Sequence, residues 1–213
     1  MPKLALPRLY AITDVRLSGL GHAGQVALLC EGGARLVQLR EKLLPPREFY
    51  RQASEAVRAA HARGARVIVN DRADIALAAG ADGVHLGQDD LSPEAARRLL
   101  GDDAIIGYST HSPEQARAAA SMPVDYVAIG PVFATRSKER PDPAVGLEGV
   151  RRARAALGPG LPLVAIGGIT PATARQVVEA GADCVAVISA LLSPEIPGPI
   201  QARTRDLLAL LGD

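Results

Sequence analysis

Residues Ala79-Gly80-Ala81-Asp82-Gly83-Val84 (AGADGV) return in the second half of the chain as Ala180-Gly181-Ala182-Asp183-Cys184-Val185 (AGADCV). In both copies a helical pattern runs out at glycine, the residue best suited to the left-handed turn that ends a helix. A short apolar run then begins behind an aspartate. A helix–glycine–acid–strand junction that occurs twice implies a strand–helix unit that is itself repeated.

Working outward, short β-branched runs predict strands at Leu9–Thr13, Leu36–Arg40, Arg66–Asn70, Gly83–Gly87, Ala104–Ser109, Tyr126–Gly130, Leu163–Gly167 and Cys184–Ser189. Helical patterns fall between them, near Gly24–Gly32, Pro46–Arg63, Asp74–Ala79, Pro93–Leu100, Pro113–Ala120, Leu147–Leu157, Pro171–Ala180 and Pro199–Leu211. Pro46, Pro93, Pro113 and Pro171 suit a first helical turn, where proline's missing N–H costs nothing. Ser92, Ser112 and Thr170 precede three of them as natural N-caps. Eight strand–helix units predict a closed α/β barrel, a (β/α)8 TIM barrel, as a single domain over residues 1–213. The two AGAD junctions would then enter strands four and eight, half a barrel apart. An open doubly wound sheet is the alternative, but no GxGxxG turn follows the first strand.

Composition narrows the function. A formal net charge of +1 and 3% aromatic residues give neither an electrostatic footprint nor stacking platforms for nucleic acid. No apolar run reaches membrane-spanning length and the amino terminus has no signal-peptide pattern, so the expected location is cytoplasmic, with no membrane partner. Cys30 and Cys184 sit among apolar residues and read as buried reduced thiols, and the four histidines lack zinc-type spacing. The chain carries 21 arginines but three lysines, Lys3, Lys42 and Lys138. Where Arg is the habitual cation, a Lys raises the question of whether a compact ammonium is needed.

In such a barrel the active site forms at the carboxyl ends of the strands. Strand two ends in Gln38, Arg40 and Lys42, strand three in Asn70-Asp71, strand four in Gln88-Asp89-Asp90 and strand five in Ser109-Thr110-His111. Strand six feeds a long segment, Pro131–Val145, that contains Thr135 to Lys138 and reads as a lid or substrate loop. Strands seven and eight end in Gly167-Gly168 and Ser189. Asp71 with Asp90, or with Asp89, which spacing does not separate, suggests a magnesium site completed by a substrate phosphate. Each acid could equally cap the helix that follows it. Arg40 and Lys42 beside that metal suit a diphosphate, and the glycines with Ser189 suit a monophosphate pocket. His85 reads as a hydrogen-bonded interior residue, and His111 as either an acid/base or a helix-entry residue.

The pieces YAITD, VQLREK, VNDRADIALAAGADGVHLGQDD, IGYSTHS, DYVAIGPVFAT, AIGGIT and AGADCVAVISA, in this order, together resemble the thiamine phosphate synthase family. The resemblance implies a (β/α)8 transferase of thiamine biosynthesis that joins a pyrimidine diphosphate to a thiazole monophosphate and releases diphosphate, with one Mg2+ per subunit. It assigns Gln38, Leu39, Arg40, Glu41, Lys42, Asn70, Ser109 and Lys138 to the pyrimidine diphosphate. Thr135, Arg136, Ser137, Gly168, Ile188 and Ser189 fall to the thiazole phosphate, and Asp71 and Asp90 to the metal. Arg40, Lys42, Ser109 and Lys138 are the expected catalytic groups. Many relatives have Thr at the position of Ser137 and Pro at that of Ala134; Ser137 keeps the hydroxyl. The sister group, which resembles aminothiazole tautomerases, shares the GxSxHS stretch and uses its histidine, here His111, but lacks the diphosphate and metal residues. A non-catalytic ligand-binding barrel would not need both Asp71 and Asp90. The expected partners are small-molecule substrates; a homodimer is one assembly the chain allows.

Overall fold

The computed structural model describes residues 6–135 and 142–212. Eight parallel strands close on themselves in sequence order: β1 (Leu9–Ile12), β2 (Leu36–Leu39), β3 (Arg66–Asn70), β4 (Gly83–Leu86), β5 (Ile105–Thr110), β6 (Tyr126–Ile129), β7 (Leu163–Ile166) and β8 (Cys184–Val187). The closing pair aligns Leu9 with Val185 and Ala11 with Val187. The helices are α1 (Val15–Ser18), α2 (His22–Glu31), α3 (Pro46–His61), α4 (Ala73–Ala79), α5 (Pro93–Leu100), α6 (Pro113–Ala119), α7 (Gly146–Leu157), α8 (Pro171–Glu179), α9 (Ser189–Leu192) and α10 (Ile200–Leu211). Ser92 and Ser112 accept the N–H groups of Ala95 and Gln115, and Thr170 closes a capping box with Thr173. Among the described residues no helix is long and apolar enough to cross a membrane.

The two-residue period of the strands sorts their side chains into two cores. Outward residues such as Leu9, Val37, Leu39, Val67, Val69 and Val185 pack with Val26, Phe49 and Val177 of the helices. Inward residues form a smaller interior of Tyr10, Ile12, Leu36, Ile68, Ile105, Tyr126, Ala128, Val164, Cys184 and Ala186. Neither Cys30 nor Cys184 is in a disulfide, and both are buried.

The repeated aspartate has a structural job at the amino-terminal end of the strands. Asp82 and Asp183 each accept an amide at the start of an odd strand, from Val67 at 2.7 Å and Leu163 at 2.8 Å. Asp125 does the same for Ile106 at 2.8 Å. Each carboxylate also meets a basic side chain of the helix before that odd strand: His61 of α3, Arg97 of α5 and Arg154 of α7. The AGAD echo is thus a strand clamp on the face away from the barrel mouth, where barrels keep their stability rather than their chemistry.

Candidate active site

The barrel opens at its carboxyl end into a cavity of about 930 Å³. Its floor is polar in one line across an otherwise apolar interior. Gln38 Nε2 donates to Tyr10 OH at 3.0 Å, Tyr10 OH lies 3.0 Å from Tyr126 OH, and Tyr126 OH lies 2.9 Å from His85 Nδ1. His85 Nε2 ends the line 2.8 Å from Ser109 Oγ. Burial pushes the His85 pKa down to about 4, so the ring is neutral near pH 7. Gly107 makes room for this arrangement: a Cβ there would lie 2.0 Å from the Tyr126 ring.

Cations and acids gather on the side of β2, β3 and β4. The Lys42 ammonium bonds Asp71 Oδ2, and Arg40 lies 3.6 Å from Asp14. Asp71 holds φ at +63°, unusual for a residue with a side chain but within the reach of Asp. Asp90 Oδ2 accepts the Gly87 amide at 2.7 Å. Burial, and after it the neighbouring Asp71 carboxylate, raise the Asp90 pKa above the usual range. Two carboxylates in repulsive contact at an open mouth form a site that a cation would relieve. Among the described residues no cluster of three or more acids, histidines or cysteines adds to them. Two carboxylates suit magnesium, which keeps waters and takes phosphate oxygens, better than zinc, which wants three or four protein ligands. Asn70, 8% exposed, completes this side of the lining.

Across the mouth stand Gly167, Gly168, Ile188, Ser189 and Thr135. Gly168 has φ +64°, and a Cβ there would sit 2.5 Å from the Ala134 carbonyl oxygen. Only glycine lets the loop after β7 come this close to the segment after β6. Between the two polar sides the wall is apolar, from Ile12, Ala128, Val164, Ile166 and Ala186. His111 also lines the mouth, donating from Nδ1 to the Gly130 carbonyl at 2.7 Å, with Asp142 3.5 Å from the same nitrogen.

Gln38, Arg40, Lys42, Asn70, Asp71, Asp90, Ser109, Thr135, Gly168, Ile188 and Ser189 are therefore gathered around one cavity. The side chains of Leu39 and Glu41, also expected at the pyrimidine diphosphate, do not line this cavity. The Leu39 side chain is fully buried in the outer core, as the strand period demands of a residue next to inward Gln38. Glu41 turns into its own loop, where Oε1 accepts the amides of Lys42, Leu43 and Leu44 and Oε2 lies 3.3 Å from His22 Nε2. Burial pushes the Glu41 pKa up, but the Leu43 and Leu44 amides and His22 outweigh it and hold it below the usual range. Glu41 shapes the turn that carries Lys42 instead of meeting the cavity. Arg136, Ser137 and Lys138 lie outside the described residues. Tyr10, Arg16 and Asp142 line the cavity without having been expected there, and Gln88 lines it as a rim residue after β4. Tyr10 was legible in phase, since it shares the inward side of β1 with Ile12.

Residues 9–191 match the family described as thiamine monophosphate synthase. A thiamine-phosphate synthase of Koribacter versatilis is 50% identical over 196 residues, covering 89% of this chain and 90% of that protein. One from Albidiferax ferrireducens is 44% identical over 208 residues, covering 97% and 94%. The solved structure of a thiamine phosphate pyrophosphorylase from Pyrococcus furiosus superposes with a TM-score of 0.86 at 36% identity, covering 99% of this chain and 96% of that one.

Proposed function

The chain belongs to the thiamine monophosphate synthase family, and from that membership we propose how its barrel mouth makes thiamine phosphate. The activity is that of a thiamine-phosphate synthase, a transferase acting on small molecules. The observation that carries the finer reading is the pairing of Asp71 with Asp90 beside Lys42, across one cavity from Gly168 and Ser189. A pyrimidine diphosphate binds with its anionic tail on the first side, and a thiazole monophosphate with its phosphate on the second. The apolar wall between them takes the two heterocycles.

Asp71 and Asp90 would hold a magnesium ion, which when bound supplies Lewis-acid charge to the departing diphosphate. Arg40 binds the same anion as a planar fork and Lys42 as a point charge, so both oppose the charge that grows as the carbon–oxygen bond breaks. The electron pair of that bond leaves with diphosphate, and the amino-substituted pyrimidine delocalises the resulting cation. The thiazole nitrogen then uses its lone pair to form the carbon–nitrogen bond. No proton is transferred in this exchange, so the mouth needs no nucleophile or general base. Holding the nitrogen in line is the remaining contribution of the protein. Lys138, Arg136 and Ser137 would join from the segment between Thr135 and Asp142.

Incubation of the protein with both phosphorylated halves and Mg2+ should give thiamine phosphate and diphosphate in equal amounts, and EDTA should stop both. Absence of product, with isomerisation of a thiazole tautomer dependent on His111, would move the assignment to the sister activity.

A further inference from the structure

We propose that Gln38, Tyr10, Tyr126 and His85 are positioning residues that form a polarised hydrogen-bond chain and fix Ser109 as a donor to the diphosphate, an inference that rests on the substrate assignment above. The polarity follows from counting hydrogens along the chain. With the Gln38 amide oriented so that Nε2 faces Tyr10, that nitrogen can only donate and the Tyr10 oxygen accepts. The Tyr10 hydrogen then has one buried partner, the Tyr126 oxygen. Tyr126 in turn donates to His85 Nδ1, which must be bare. A neutral imidazole with a bare Nδ1 carries its hydrogen on Nε2, and Nε2 faces Ser109 Oγ at 2.8 Å. Ser109 therefore accepts from His85, and its own hydrogen is left for the cavity that it lines.

The opposite polarity strands a hydrogen. If Ser109 donated to Nε2, His85 would donate from Nδ1 to Tyr126, and Tyr126 to Tyr10. The Tyr10 hydrogen, on a side chain 1% exposed, would then have no acceptor, because Gln38 offers it an N–H. Leaving a buried hydroxyl hydrogen unsatisfied biases the chain toward the first arrangement by about tenfold or more. Packing holds the members in line: the Tyr10 and Tyr126 rings meet edge to face at 84°, and the His85 and Tyr126 rings stack within 20°. A serine whose hydrogen is free from the start need not give up an internal bond when the anion arrives, a form of electrostatic preorganisation.

The His85 tautomer can be read in the ligand-free full-length protein by two-bond ¹H–¹⁵N correlation of the imidazole, with the signal assigned by its loss in His85→Asn. The expected tautomer is Nε2–H. A predominantly Nδ1–H ring would overturn the proposal, and no substrate is involved, so an error in the substrate assignment leaves this result legible. Tyr126→Phe releases the constraint. It should give a mixture of tautomers and lower kcat about tenfold while KM for the pyrimidine diphosphate moves less than about twofold. A folded Tyr126→Phe protein with unchanged kcat and unchanged tautomer would also overturn it.

Discussion

Lys42 reaches Asp71 from the loop after β2 with a side chain that is 49% exposed. An ion pair that open contributes at most about 1 kcal/mol to stability, so its place at the mouth is better explained by ligand binding. Lys42→Arg keeps the charge but replaces a compact, movable ammonium with a broad fork beside Arg40. Turnover should fall about tenfold with little change in melting temperature; wild-type turnover would show that any cation serves. Asp71→Asn is the cleaner metal test because Asn also tolerates the left-handed backbone at φ +63°. It should lower Mg-dependent turnover by roughly 100-fold while the melting midpoint stays within about 2 °C. Lys42 was conspicuous in a chain that otherwise favours Arg. Asp71 and Asp90 were visible as rim acids, but spacing could not separate Asp90 from Asp89, because both lie in the same turn after β4. The placement of the Glu41 carboxylate was not legible, since nothing in a charged residue between two rim cations shows that it bonds the amides of its own loop.

At the scale of elements, the aspartates before β4, β6 and β8 form one device with three strengths. Arg97 and Asp125 have side chains only 16% and 12% exposed, and Arg97 also donates to the carbonyls of Gly101, Asp102, Ala104 and Pro123. Arg97→Ala should therefore cost about 3 kcal/mol, seen as a fall of roughly 6–12 °C in the melting midpoint, with kcat unchanged. His61→Ala, at a more open clamp, should cost less than about 1 kcal/mol. Equal losses in the two variants would contradict the burial argument. The AGAD echo located two of these clamps without showing that they were clamps, and Asp125 escaped because its neighbours differ. All eight strands and eight of the helices followed from periodicity, proline starts and glycine stops. The four-residue helices α1 and α9 did not, since one turn carries no amphipathic period.

For the molecule as a whole, the polar line across the barrel makes stability depend on pH. His85 has a folded pKa of about 4 against an unfolded value near 6.5. Above pH 6.5 both states are neutral and nothing is lost. Between about 6.5 and 4 the unfolded chain binds a proton that the folded chain does not, so stability falls as the pH falls, by about 3 kcal/mol in total. Urea melts across this range should show that slope, and His85→Asn should flatten it; an unchanged slope in the variant would assign the effect to other groups, such as His22, which burial also pushes down. This interior was the least legible part of the sequence, because Tyr10 and Tyr126 look like ordinary core residues until barrel closure brings their hydroxyls together. Closure also sets the two proposed anion sides opposite each other, and that opposition is the central proposal. Its most direct test is the steady-state KM of each substrate in Lys42→Met and Ser189→Ala. Lys42→Met should raise KM for the pyrimidine diphosphate about tenfold and leave that for the thiazole phosphate nearly unchanged, while Ser189→Ala should do the reverse. Equal effects on both substrates in either variant would contradict a mouth divided into two facing sites.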